Sequence, residues 1–219
     1  MRFCRSQPVS GPPGRRSDEL AASLRRFFTP PRWKGDDESR SPPDRLVYLL
    51  DHEYTQQGLR WNLLKNADAK RVAVLRQAAE ELDCQVFLAL ADVHETWACE
   101  EPYSAYQGRW YAADADEDDD RDDAADSDPS YYELTDLIDS DVELRHWVGT
   151  DGTAEKIATG VADSELFFTK PSRDFEPFES EHEGYTGNAG NTVEHWYHRA
   201  AVVLWPRERN FLIRAKPHR

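Results

Sequence analysis

Uninterrupted apolar runs alternate with helical periodicities along the chain. Leu46-Val47-Tyr48-Leu49-Leu50 is a short continuous run, the pattern of a strand buried on both faces. Leu59, Leu63, Leu64, Ala67, Val72, Leu75, Ala79 and Leu82 then recur mainly at helical spacing as far as Asp83. Thr55 is placed to cap that helical region, and Asn66-Ala67-Asp68 is placed to break it. From Cys84 to Val93 the chain is again apolar and β-favouring, and the strand continues through His94 to Trp97. These first two strands either pair in parallel through the helical crossover or share a sheet that the helices cover.

The second half reads as β structure. Tyr131–Ile138 and Asp141–Val148 are strands separated at Asp139-Ser140, and Gly149-Thr150-Asp151-Gly152-Thr153 has the composition of a hairpin connection. Leu166-Phe167-Phe168 is a further short strand. Arg199–Trp205 is a strong one, ended by Pro206, and Asn210–Ala215 is placed to pair back with it. At the other end, Ser17 is placed to cap a helix over Asp18–Phe28 with an apolar face of Leu20, Leu24, Phe27 and Phe28. Pro30-Pro31 stops that helix. The Pro/Gly/Arg-rich residues 1–16 read as disordered and Arg32–Pro43 as a linker. The organisation is therefore a segment 1–43 of linker with one short helix, followed by one domain over 44–219. An acidic loop at 112–130 interrupts that domain. Its class is α+β: a mostly antiparallel sheet with one or two packed helices.

Composition narrows the classes of function. The chain has 219 residues, 39% of them hydrophobic and 32% charged, with a mean hydropathy of −0.81. Seven Trp, nine Tyr and nine Phe are too many aromatics for a disordered chain. Net charge is −15, and Asp114–Asp128 alone contributes ten acids against one Arg. Such a balance disfavours nucleic acid as a partner. The acidic run reads as solvated loop; with no Gly at the turn of a calcium loop it does not fit an EF-hand. Cys4, Cys84 and Cys99 form no CxxC, which points to reduced thiols in a cytoplasmic protein, with Cys84 as a core residue. No apolar stretch is long enough to span a membrane, so a membrane is not among the expected partners.

Three dipeptides invite a metal reading: His52-Glu53, His94-Glu95 and His182-Glu183, each expected at a strand end. Their spacing is neither HExxH nor HxD, so no adjacent pair of ligands is encoded. His195 and His198 share a face on a helix and point to opposite faces on a strand; the RAAVVLW run that follows argues for the strand. His94, His182 and His198 remain the candidates for a metal. The richest local signal is Glu179–Tyr197, where Gly184, Gly187 and Gly190 tolerate positive φ and Asn188 and Asn191 do so too. Glu181, His182, Glu183, Gly184, Tyr185, Gly187, Asn188, Gly190 and Asn191 form the candidate binding loop. Phe175, Phe178, Trp196 and Tyr197 flank it as anchors. No catalytic residue is assigned.

Four stretches taken together resemble one family: DRLVYLLDHEYT at 44–55, LALADVHETW at 88–97, ELTDLIDSDVELRHWVG at 133–149 and EHEGYTGNAGNTVEHWYHRAAVVLWP at 181–206. They are similar to the C-terminal region of long bacterial and fungal 2-oxoglutarate/Fe(II)-dependent oxygenases of the prolyl 4-hydroxylase-like type. The resemblance implies Fe(II) and 2-oxoglutarate as cofactors of the full-length family. It also implies an N-terminal oxygenase domain as partner and brings in a degenerate double-stranded β-helix as a second architecture. The family's HxD iron ligands have no counterpart in this sequence, so no cofactor is expected in this chain alone. The leading expectation is a non-catalytic region serving substrate recognition or stabilising the oxygenase domain. The alternatives are an iron dioxygenase using a His/Glu set of its own and an acidic protein-interaction module.

Overall fold

A computed structural model describes residues 13–29, 42–100, 129, 132–184 and 190–209. The acidic run, residues 1–12 and the expected strand at 210–215 lie outside the described residues.

Two helices lie on one side of an open eight-stranded sheet. Helix α1 spans Pro13–Phe28 and α2 spans Asn66–Glu81. Proline suits the first turn of α1, where its missing N–H has no intrahelical partner in any case. The helix thus begins a turn before the expected cap. Ser17 lies inside it, buried, and its hydroxyl donates to Glu81 Oε1 at 2.8 Å. It ties α1 to the end of α2 instead of capping. Thr55 likewise caps no helix: its side chain accepts from the Gly58 N–H at 3.1 Å within a turn, and a short 3₁₀ segment at Trp61–Leu63 precedes α2.

The strands are β1 Leu46–Leu49, β2 Cys84–Glu100, β3 Glu133–Val148, β4 Ala154–Glu155, β5 Thr159–Gly160, β6 Leu166–Phe168, β7 Glu179–Glu183 and β8 Thr192–Pro206. Their order is β4-β3-β2-β8-β1-β6, with β5 beside β3 and β7 beside β8. Every pairing is antiparallel except β1 with β6. β1 and β2 do run in the same direction, but β8 lies between them and pairs with both, so the α2 crossover skips one strand. The sheet is single, with helices on one side; among the described residues this replaces the two facing sheets of a double-stranded β-helix. β3 also runs unbroken through Asp139-Ser140, because Thr96, Glu95 and His94 of β2 stay in register with Asp139, Ser140 and Asp141. The irregularity falls just beyond, at Trp97.

Two apolar layers result. On the helix side Leu50, Leu88, Ala200, Val202 and Leu204 pack against α1 and α2. On the other side Val47, Leu49, Ala89, Ala91, Leu144, Val203 and Trp205 are covered by Ile157, between β4 and β5, and by Val161 and Phe175, between β5 and β7. Gly149 and Gly152 make the turn into β4. Gly152 has φ +83°, a conformation that favours glycine, while a Cβ on Gly149 would meet only the movable end of the Asp151 side chain, Oδ1 at 2.7 Å.

Candidate functional site

β2, β3 and β8 are 17, 16 and 15 residues long, and the helices cover only the end of the sheet near Cys84–Leu90. The far half has its own chemistry. Register places Asp92 opposite His198, His94 opposite Trp196 and Thr96 opposite Glu194, all on the helix side but past the helices. There His94 stacks on Trp196 with ring centroids 4.7 Å apart, and its Nε2 meets Glu194 Oε2 at 3.1 Å. His198 stacks on Phe178 at 3.8 Å and pairs through Nδ1 with Asp92 Oδ1 at 3.0 Å. Arg145 completes the row with an ion pair to Asp92. Phe178 is 53% exposed and His198 is exposed as well. The result is a platform of aromatic–imidazole stacks, with a carboxylate at each imidazole, that no described element covers.

The opposite side of the same half is closed and polar inside. Arg199 is 1% exposed, and its Nη2 and Nε donate to the Leu50 carbonyl at 2.7 and 3.2 Å. Phe175 lies across the guanidinium, 3.9 Å from ring centroid to Cζ, and Nη1 has no partner. Glu95, 7% exposed, accepts from Trp97 Nε1 at 3.0 Å and from the Ser172 hydroxyl. Burial pushes the Glu95 carboxyl up and the Arg199 guanidinium down, since both lose water without forming a direct ion pair. Beside them Tyr197 bonds His195 Nδ1 at 2.9 Å; burial raises the phenol and lowers the imidazole.

A third polar centre joins β1 to α2. Asp68, fully buried, accepts from the backbone N–H groups of Asp51 and His52, from His52 Nδ1 and from the Tyr54 hydroxyl, at 2.8 to 3.1 Å. Burial takes the Tyr54 phenol up to about 12. One carboxylate thus satisfies the donors of the chain leaving β1, a structural task.

The predicted residues separate across these places. His52 serves the Asp68 centre. His94 lies within β2 and not at a strand end. His195 and His198 fall on opposite faces of a strand, as their spacing required. His182 pairs in register with Val193, on the other side of the sheet from His94 and His198, and stacks on Tyr132 at 3.9 Å. The three candidate metal ligands therefore do not converge, and among the described residues no group of three His, Cys, Asp or Glu is arranged to hold a metal. The donor set does not fit the iron site the resemblance implies, and no chemistry is derived through it. Glu181 and Glu183 lie on β7, and Gly184, Gly190 and Asn191 flank the loop. A Cβ at Gly184 or Gly190 meets nothing within 4 Å, so neither glycine answers a close approach. Tyr185, Gly187 and Asn188 lie outside the described residues. Cys84 is buried, as expected for a core residue, and its thiol rises to about 11; burial raises the Cys99 thiol too.

Sequence reasoning missed Arg199, Asp68 and the Asp92–His198 and His94–Glu194 pairs. A charge heading the RAAVVLW run was a usable signal for Arg199; the pairs join residues about a hundred positions apart in sequence and needed the register. No family model, curated protein or solved structure matches the chain, and no helix among the described residues is long and apolar enough to cross a membrane.

Proposed function

We propose that the chain is a non-catalytic recognition region of a 2-oxoglutarate/Fe(II) oxygenase-like protein, working through the far half of its sheet. The observation that carries the reading is the platform of His94–Trp196 and His198–Phe178 stacks beyond the helices, which no described element covers. A half-exposed Phe178 ring and a partly buried Trp196 ring beside paired charges are the composition of a contact surface. On the closed side behind it, Arg199, held by Leu50 and Phe175, ties β8 to the end of β1. The sequence resemblance supplies the partner class, an oxygenase domain bearing HxD.

Two measurements test this. With Fe(II), ascorbate and 2-oxoglutarate, the chain alone is expected to release no succinate above a metal-free control. The HxD-bearing part of a long family member, added in trans, is expected to bind the parent chain and to lose that binding with Phe178→Ala or Trp196→Ala. Succinate release by the chain alone, abolished by His94→Ala or His198→Ala, overturns the reading in favour of an enzyme. Unchanged binding by both platform variants overturns it in favour of a structural role.

A further inference from the structure

The edge of the far half carries information that the platform does not. β3 pairs with β2 along its inner side from Glu133 to Val148. On its outer side, β4 reaches only Trp147 and Val148, β5 reaches Glu143 and Leu144, and the Val161 N–H bonds the Val142 carbonyl. From Glu133 to Asp141 no described strand lies against that outer side. A strand edge whose outer donors and acceptors no described strand takes, here bulged between Leu134 and Asp139, is a template for one more strand. Its side chains are distinctive: Glu133, Asp136, Asp139 and Asp141 carry negative charge, and no Lys or Arg occurs among them. Ile138, 59% exposed, is the most exposed large apolar side chain among the described residues.

We infer that the outer edge of β3 over Glu133–Asp141 takes an extended, Lys/Arg-rich segment of a partner protein as an added strand. This inference rests on the recognition role above and names its partner class. Main-chain bonds to the edge give the added strand its register, lysines or arginines along it meet the edge carboxylates, and an apolar residue covers Ile138. Charge decides between occupants. A second copy of this chain presents the same acidic edge and a net charge of −15, so edge-to-edge pairing of copies is opposed by like charges. A basic strand is attracted by the same groups. β7, at the opposite border, is also acidic through Glu179, Glu181 and Glu183, but it is only five residues long, a shorter template.

The probe is a fluorescent Lys-Val repeat peptide of about ten residues, the upper end of ordinary strand lengths and enough to span Glu133–Asp141, titrated into the full chain and read by anisotropy. Backbone amide exchange is followed in parallel. The expected result is saturable binding that weakens with salt, slowed exchange confined to 133–141, and about tenfold weaker binding in Asp136→Lys/Asp139→Lys. Asp136→Asn/Asp139→Asn, a milder pair at exposed positions, is expected to lie between. It keeps the test valid if the reversal variant misfolds by circular dichroism. A Glu-Val repeat is expected not to bind. Binding without slowed exchange at 133–141 shows charge attraction without strand addition and overturns the inference, as does absence of binding or indifference to both variants. If the inference fails while platform variants still lose the oxygenase domain, only the partner class is wrong; if both fail, the recognition role falls too.

Discussion

The two halves of β8 differ more than any two separate elements of the fold. From Ala200 to Trp205 every residue is buried, because α1 and α2 cover one face and the segment around Ile157 and Phe175 covers the other. From Thr192 to His198 only Val193 and Tyr197 are buried. The same strand is thus a core strand for one half and a one-sided strand for the other; on β2, too, the helix-side positions Cys84, Val86 and Leu88 are buried while Asp92, His94 and Thr96 are only partly so. Where burial is two-sided the side chains are Ala, Val, Leu and Trp. Where it is one-sided, polar groups occupy both the open face and the closed one. Stability and the proposed recognition role therefore fall on different lengths of the same three strands, and substitutions can separate them.

The largest effect is expected in the covered half. Leu88 is fully buried between β2, β8 and α2. Leu88→Ala deletes apolar contacts and leaves a cavity in a layer held by two helices, which costs about 2–5 kcal/mol. Urea unfolding followed by tryptophan fluorescence measures it. A loss well under that range shows that the helix layer collapses easily and that the halves differ less than their packing indicates.

Next is the junction between the halves. Asp68→Asn turns an acceptor oxygen into a donor that faces N–H and O–H groups of His52 and Tyr54, or those of Asp51 after an amide flip. Leaving buried donors unpaired costs about 1–3 kcal/mol. Thermal unfolding compares this variant with Leu88→Ala. An Asp68→Asn variant as stable as the parent shows that the four bonds seen here are dispensable and that the end of β1 is held by Arg199 alone.

How much of this contrast was legible in the sequence depends on what each pattern encodes. The run LVYLL reads as a strand buried on both faces and RAAVVLW as a strong strand; both lie between two layers, because a continuous apolar run survives only there. TVEHWYH, with its buried residues spaced more widely, belongs to the same strand, but its Gly/Asn neighbours made it read as loop. The helix over 66–81 was legible from its period, while its start was not, since the start depends on Asp68 reaching back to Asp51 and His52. The division at Asp139-Ser140 was read from polarity; pairing with β2 overrides it, because an exposed edge tolerates polar residues without breaking. At the site, the histidines were visible and their partners were not. Asp92 and Glu194 meet His198 and His94 only through the β2–β8 register, which no local pattern specifies.

A smaller effect belongs to the closed face of the far half and depends on pH. Burial raises the folded-state value of Glu95 above that of the unfolded chain. Between the two values the folded state binds more proton than the unfolded state, so stability falls as pH rises through that window and stays lower above it. Glu95→Gln keeps an acceptor for Trp97 Nε1 and removes the ionisation. Its melting temperature is expected to match the parent below the ordinary carboxylate value of 4.5 and to exceed it at neutral pH. A parent that gains stability across this window instead shows that Arg199 and Ser172 hold Glu95 ionised and that the closed face is a polar network fully satisfied within itself.

The smallest effect on stability is expected where the effect on binding is largest. Phe178 and His198 lie on the open face, over half exposed at Phe178, and their 3.8 Å stack excludes little water. The backbone bond from the Phe178 N–H to the Trp196 carbonyl, at 2.9 Å, does not need the ring. Truncating exposed side chains away from caps, cavities and buried networks changes stability by about 0.5 kcal/mol or less. Phe178→Ala and His198→Ala are therefore expected to melt with the parent, in contrast to Leu88→Ala on the same sheet. If Phe178→Ala instead unfolds the chain at the cost of a core residue, the ring is a support for β7 and β8 and not a contact surface. The far half would then be a second core with polar contents, and the division of labour along the strands would have to be abandoned.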